Sequence, residues 1–214
     1  MYRGSTKEHS DPLMRTYLED LIYRLSETSE VRDRRFEFII LEDKTINAFA
    51  APGGIIGINL GMFLNTEREG ELASVMCHEL AHLSQRHFAR SQNRNSPLAN
   101  ALMILGSIAV AAASRNPEAI LIAPAAMQQM SINYTRSNEK EADRIGFNNL
   151  VKAGFDPNDM TMMFQRMQDK YQNEDSEQFS YLMTHPLPSE RLTDMRIRSD
   201  GFKKTSQNLF RDNL

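Results

Sequence analysis

LASVMCHELAHLSQRH (Leu72–His87) places two histidines, His78 and His82, four residues apart, with Glu79 directly after the first. On an α-helix, residues four apart lie about 40° apart around the axis and one turn along it. Both imidazoles can then reach one metal ion, at about 2.0–2.1 Å if the ion is zinc. Glu79 stands beside that pair. From there it can take a proton from metal-activated water and pass it to a leaving amine. The bland alternative is a surface helix with two hydrated histidines. The apolar flanks (Leu72, Val75, Met76, Leu80) argue for a buried helix, in which unbound histidines would be costly.

A hydrolytic zinc site needs a third protein ligand and one open position. The candidate is Glu139 in NEKEADRIG (Asn138–Gly146), on a predicted helix. Asp143 lies four residues on, on the same face, where it can hydrogen-bond a ligand or a substrate. Alone, this segment would read as a solvated face; its weight comes from pairing with HELAH. Glu141 lies about 200° around from Glu139 and is expected to face solvent. His87 lies about 180° from His78, so it reads as structural or exposed rather than as a ligand. Cys77 reads as a small buried hydrophobe. The methionines, including Met160, Met162, Met163 and Met167, read as flexible core packing, with a Met-lined client surface as the lesser alternative.

Outward from the motif, an α+β organisation emerges: a mostly helical domain with a small, mostly antiparallel sheet beside the HExxH helix. Leu13, Tyr17, Leu21, Ile22 and Leu25 share one face of a first helix, from Asp11 to about Glu27. FEFIIL (Phe36–Leu41), Ile46–Ala50 and Ile55–Asn59 read as strands, the last two joined by a Pro52-Gly53-Gly54 turn. Thr66 and Glu69 match a capping box ahead of a helix reaching about Arg90. Helices are expected over Pro97–Ala113 and from Pro117 to about Val151, the latter with a possible break near Asn133 and Gly154 past its end. Asp156-Pro157 opens another helix, to about Tyr171. The loop THPLP (Thr184–Pro188) precedes a final helix from Ser189 to about Ser199. Residues 1–10 read as a processing or cloning remnant, 11–200 as the peptidase domain, and 201–214 as a polar tail or the start of a further repeat domain.

With 41% hydrophobic and 25% charged residues, the 214-residue chain fits one globular domain. A net charge of −3 without a basic block gives no electrostatic footprint for nucleic acid. One cysteine excludes an internal disulfide framework but decides no compartment. The Ala-rich run from Leu98 to Ala113 is shorter than the about 20 apolar residues a bilayer span needs, so no transmembrane segment is expected.

HELAH with a downstream E-x-x-A-D resembles the gluzincin metalloproteases, the group of the HtpX heat-shock and CAAX prenyl proteases. INAFAAPGG (Ile46–Gly54), LASVMCHELAHLSQRH, NEKEADRIGF (Asn138–Phe147) and THPLPSERL (Thr184–Leu192) are most similar to its soluble, periplasmic BepA-like branch. The resemblance implies one zinc ion on His78, His82 and Glu139, Glu79 as base and Asp143 as an auxiliary catalytic residue. It also implies work on outer-membrane protein quality control, with the outer-membrane assembly machinery as a candidate partner. Two departures stand out: no spanning helices of the membrane-integral relatives, and no helical repeats of the kind that follow the BepA-like protease domain.

The resemblance places the THPLP loop near the active site, which leaves three readings of His185. It stabilises an oxyanion, occupies the open zinc position as a latent fourth ligand, or merely packs the loop. The latent-ligand reading is preferred, because a protease among unfolded clients needs a brake. Asn47, Ala48, Phe49 and Ala50 resemble the family's edge strand, which binds an extended peptide through its backbone. The expected substrates are unfolded or stalled proteins. A zinc-binding chaperone or scaffold and a processing enzyme for lipidated peptides are the competing functions; dependence of cleavage on Glu79 separates the first, and a need for a prenyl group the second.

Overall fold

Helix α1 (Pro12–Thr28) starts where Asp11 accepts a hydrogen bond from the Leu13 amide, with proline in the first turn. Leu18, Leu21, Ile22 and Leu25 line its buried face. Strands β1 (Glu37–Leu41), β2 (Ala48–Ala51) and β3 (Ile55–Asn59) follow, then α2 (Leu60–Leu64), α3 (Glu69–Ser84) and α4 (His87–Gln92). Beyond them lie α5 (Arg136–Lys152), α6 (Asn158–Asn173), α7 (Ser180–Thr184) and α8 (Ser189–Arg211). This computed structural model describes residues 7–92, 136–173 and 180–211. The expected helix at 97–113, the first part of the one from 117, the break near Asn133 and the apolar run at 98–113 lie outside the described residues.

The fold is α+β as expected, but the sheet is mixed rather than mostly antiparallel. Its order is β1-β3-β2, with β3 parallel to β1 and antiparallel to β2. The cause is local. Gly53 and Gly54, at φ +91° and +83°, turn β3 back along β2. Glu37 then donates its amide to the Gly54 carbonyl, which sets the start of β1 beside the start of β3. Strand β2 begins at Ala48 rather than Ile46, because the Ile46 carbonyl is taken by the Tyr181 amide. Glu8 pairs with Leu41, and His9 donates to Ile40, so the outer side of β1 is covered. The outer side of β2 faces α3.

Two helix boundaries also differ from expectation. The capping box does not form: Thr66 donates to the Phe63 carbonyl, and the Glu67 amide goes to Glu71. Helix α3 stops at Ser84, because Arg86 adopts a left-handed conformation (φ 52°). The chain turns there and restarts as α4. Helix α5 does end as predicted: Gly154 (φ 86°) and Phe155 donate to the Val151 and Leu150 carbonyls, closing a Schellman motif. Met160, Met163, Met167 and Phe164 bury one face of α6, at about 1.5–3 kcal/mol for each side chain fully withdrawn from water. Helix α8 continues through Gly201 to Arg211, where a polar tail was expected. No helix among the described residues is long and apolar enough to cross a membrane.

Candidate metal centre

Helices α3 and α5, packed against each other, bring HELAH and NEKEAD together, and the loop after α7 adds His185. The Nε2 atoms of His78 and His82 lie 2.9 Å apart. Glu139 places Oε2 3.4 Å from His78 Nε2 and Oε1 3.2 Å from His82 Nε2. His185 Nδ1 stands 3.2 and 3.3 Å from the two Glu139 oxygens. One ligand atom from each of the four residues falls within 4.8 Å of all the others, and all four side chains are buried.

Burial pulls the His78 imidazole down, yet Asp143 and Glu139 outweigh it and hold its pKa up at about 9. Burial keeps His82 well below the ordinary histidine range, Glu139 only partly opposing. The Glu139 carboxyl is also buried, but His185, His78 and His82 together hold it well below the usual carboxylate range. Two imidazole nitrogens 2.9 Å apart cannot both present bare lone pairs to each other. They need a proton or a metal cation between them. A buried set of two or three imidazoles and one carboxylate is the chemistry of a zinc site, so these residues fit the ion.

Behind the cluster, Asp143 Oδ1 lies 3.0 Å from His78 Nδ1. Arg191 grips Asp143 through two hydrogen bonds of 2.6 and 2.7 Å. The same guanidinium lies 2.9 Å from Glu139 Oε2 and donates to the Pro186 carbonyl at 2.6 Å. It thereby ties the His185 loop to the carboxylates. Sequence reasoning missed Arg191. The available signal was the demand that two buried carboxylates on one helix face place on a cation, with Arg191 the one arginine in THPLPSERL.

Of the two readings of His87, the structure bears out the structural one: the ring is fully buried, with Nδ1 2.8 Å from His82 Nδ1. Glu141, expected to face solvent, is about two-thirds buried and meets His87 Nε2 at 3.0 Å and Arg90 at 3.1 Å. A helix straight through His87 would carry that ring away from the metal position; the break at Arg86 folds it back over His82.

Glu79 is buried, and burial pushes its carboxyl pKa up. Its Oε2 accepts the Ala50 amide of β2 at 3.2 Å, and His185 Nε2 lies 3.5 Å from Oε1. Tyr181, also missed in the sequence, stacks on His185 with centroids 4.5 Å apart. Its phenol oxygen is buried close to the Glu79 carboxylate. A cleft of about 990 Å³ runs past β2 and His82, lined by Ala50, Pro52, Gly54, Gln85, Arg86 and others. Asn47 precedes β2; Ala48, Phe49 and Ala50 lie within it, with their side chains buried. Cys77 is buried, and burial pushes its thiol pKa far up.

Residues 12–199 match the model of peptidase family M48. The chain is 44% identical over 204 residues to the putative beta-barrel assembly-enhancing protease of Vibrio cholerae serotype O1, covering 93% of this chain and 42% of that protein. It is 39% identical over 210 residues to the beta-barrel assembly-enhancing protease of Escherichia coli strain K12, covering 94% of this chain and 42% of that protein. The mitochondrial metalloendopeptidase OMA1 of Schizosaccharomyces pombe is 27% identical over 197 residues, covering 89% of this chain and 56% of that protein. The chain thus spans less than half the length of the beta-barrel assembly-enhancing proteases it matches.

Proposed function

The chain belongs to peptidase family M48, and from that premise we propose that it acts as a zinc-dependent endopeptidase, with His78, His82 and Glu139 holding the metal and Glu79 as general base. The observation that carries this reading is the convergence of two imidazole nitrogens and one carboxylate in a buried pocket, with Glu79 beside them. A His₂Glu set also accepts other divalent ions, so zinc is the choice of chemistry rather than of geometry alone.

A bound divalent ion would supply Lewis acidity, polarising the scissile carbonyl and acidifying water. The rest falls to the chain's own residues. Glu79, with its carboxyl pKa raised by burial, is suited to take a proton from the attacking water and return it to the leaving nitrogen. Asp143, held by Arg191, orients the His78 ring and acts as the auxiliary catalytic residue of the proposal. An extended substrate would lie along the outer edge of β2, beside Asn47–Ala50. Among the described residues β2 pairs with β3 alone, and the Ala50 amide on its other edge points at Glu79.

For His185 the latent-ligand reading is retained. In support, its Nδ1 lies 3.2 Å from Glu139 Oε1, and Arg191 clamps the Pro186 carbonyl of its loop. In that role it would fill the open coordination position until the loop moves. Stabilising an oxyanion is the alternative once the loop has shifted. The names of the relatives, beta-barrel assembly-enhancing proteases, support a setting in β-barrel assembly; with the resemblance drawn from the sequence, the proposal takes unfolded or stalled outer-membrane proteins as substrates, the outer-membrane assembly machinery as partner and the periplasm as location.

Casein cleavage by the unaltered chain, Glu79→Gln and His185→Ala, with zinc content measured in each, tests the proposal. Cleavage by the unaltered chain or His185→Ala, absent in Glu79→Gln at equal zinc content, supports an endopeptidase. A large gain in His185→Ala supports the brake. Zinc-loaded protein that cleaves in none of the three forms favours a chaperone or scaffold instead.

A further inference from the structure

Helix α5 supplies more than Glu139. Glu141 and Asp143 follow at alternate positions, and each carboxylate reaches one of the two α3 histidines from behind, on the side away from the Nε2 atoms. The two arms differ. Asp143 meets His78 Nδ1 directly at 3.0 Å. Glu141 reaches His82 through an intermediate ring, His87, with steps of 3.0 Å and 2.8 Å. We infer that Glu141, acting through His87, sets the tautomer of His82 so that its Nε2 lone pair faces the metal position; His87 and Glu141 are positioning residues. The inference rests on the reading of His82 as a metal ligand.

Donor and acceptor inventories dictate the polarity of this chain. An ionised carboxylate only accepts, so His87 Nε2 must carry the hydrogen that meets Glu141. In a neutral imidazole the other nitrogen is then an acceptor, so His87 Nδ1 takes a hydrogen bond from His82 Nδ1–H. His82 Nε2 is left bare, the form a metal ligand requires. Arg90, 3.1 Å from the same Glu141 oxygen, favours the ionised carboxylate that starts the sequence. The relay depends on the break at Arg86: on a straight helix, His87 would lie roughly 140° around the axis from His82.

The geometry also identifies a substitution that reverses the relay. A lysine at position 141 offers only donors, so His87 Nε2 must accept, His87 Nδ1 must donate, and His82 Nδ1 must accept. The hydrogen then moves to His82 Nε2, where it blocks the metal. Glutamine at position 87 carries an acceptor and a donor in one amide and can preserve the original direction.

The test measures zinc affinity by chelator competition, and the protonated nitrogen of His82 by nitrogen-15 NMR of the metal-free protein. The variants are Glu141→Lys, His87→Phe, His87→Gln and His82→Ala. Glu141→Lys and His87→Phe are expected to weaken zinc binding by roughly ten- to hundredfold. His87→Gln should recover most of that loss. In Glu141→Lys the His82 proton should move from Nδ1 to Nε2, a change that a merely structural role would not produce. Position 141 is partly exposed, so that variant keeps the question answerable if His87→Phe does not fold. Zinc affinity within about twofold of the unaltered protein and an unmoved His82 proton in Glu141→Lys would overturn the inference. An unchanged affinity in His82→Ala would instead remove the ligand reading beneath it.

Discussion

Gly146 on α5 lies against the backbone of His78 on α3: a Cβ at position 146 would stand 3.0 Å from the His78 amide nitrogen. It would also stand 3.1 Å from the carbonyl carbon and oxygen of Cys77. Glu139, Asp143 and Gly146 follow the i, i+4, i+7 spacing of a single helix face. The glycine therefore sets how closely the face bearing Glu139 approaches the face bearing the histidines.

Gly146→Ala should consequently lower both stability and metal affinity. Alanine gains about 1 kcal/mol of helix propensity over glycine. Crowding against backbone that cannot rotate away costs about 1–3 kcal/mol, so the clash prevails. Thermal melting and zinc competition check this; a melting point at or above that of the unaltered protein, with unchanged affinity, would refute it.

Arg191 neutralises Asp143 and Glu139 in a buried setting. Arg191→Leu should destabilise the metal-free protein by about 3–5 kcal/mol, because two carboxylates lose their shared cation. Arg191→Lys should recover only part, since an ammonium cannot reproduce the two-pronged grip on Asp143. Zinc should stabilise the leucine variant more than the unaltered chain by supplying Glu139 with a replacement cation. Urea unfolding with and without zinc measures both effects, and equal zinc stabilisation in the two proteins would argue against the shared role.

In the metal-free chain, the His78 pKa is held up at about 9. A raised histidine pKa contributes stability that is fully present below the ordinary value of about 6.5 and lost as the pH rises through about 9. Zinc must displace that proton. Its apparent affinity should therefore climb as the pH rises from 6.5 towards 9, with about one proton released per ion bound near pH 7. Calorimetry in buffers of different ionisation enthalpy counts the proton; a binding enthalpy independent of buffer would contradict the assignment.

Phe49 lies across its strand partner Gly57, where a Cβ would meet the ring at 2.1 Å. Gly57→Ala should expel the ring from its cluster with Ile39, Leu41 and Ala51, costing about 3–5 kcal/mol, as a buried Phe→Ala change does. Phe49→Ala combined with Gly57→Ala should then cost little more than Phe49→Ala alone. A double-mutant cycle in urea reads that coupling, and additive losses would show that the ring does not depend on the glycine.

The chemistry was legible wherever it rode on a single helix. His78 and His82 share a face by their spacing alone, as do Glu139 and Asp143, and the Gly154 stop needs only local backbone geometry. The third strand was placed residue for residue, because its ends are marked by the Gly53-Gly54 turn and by Asn59. What the sequence left undecided was contact between elements far apart in the chain. The parallel pairing of β1 with β3 follows from Glu37 reaching Gly54, a tertiary event that strand patterns do not encode. That His87 folds back over His82 was not foreseeable, because the left-handed turn at Arg86 carries no glycine to announce it.

Local periodicity thus determined the residue types, the faces they occupy and the metal chemistry open to them, since helix geometry repeats wherever the backbone is regular. Only the tertiary structure decided which polar groups partner one another: Arg191 on Asp143 and Glu139, His87 between His82 and Glu141, and His185 beside Glu139. Burial is the physical reason. An ionised or half-paired group is costly once water is excluded, so each must find a partner in space, at a distance along the chain that no local pattern records.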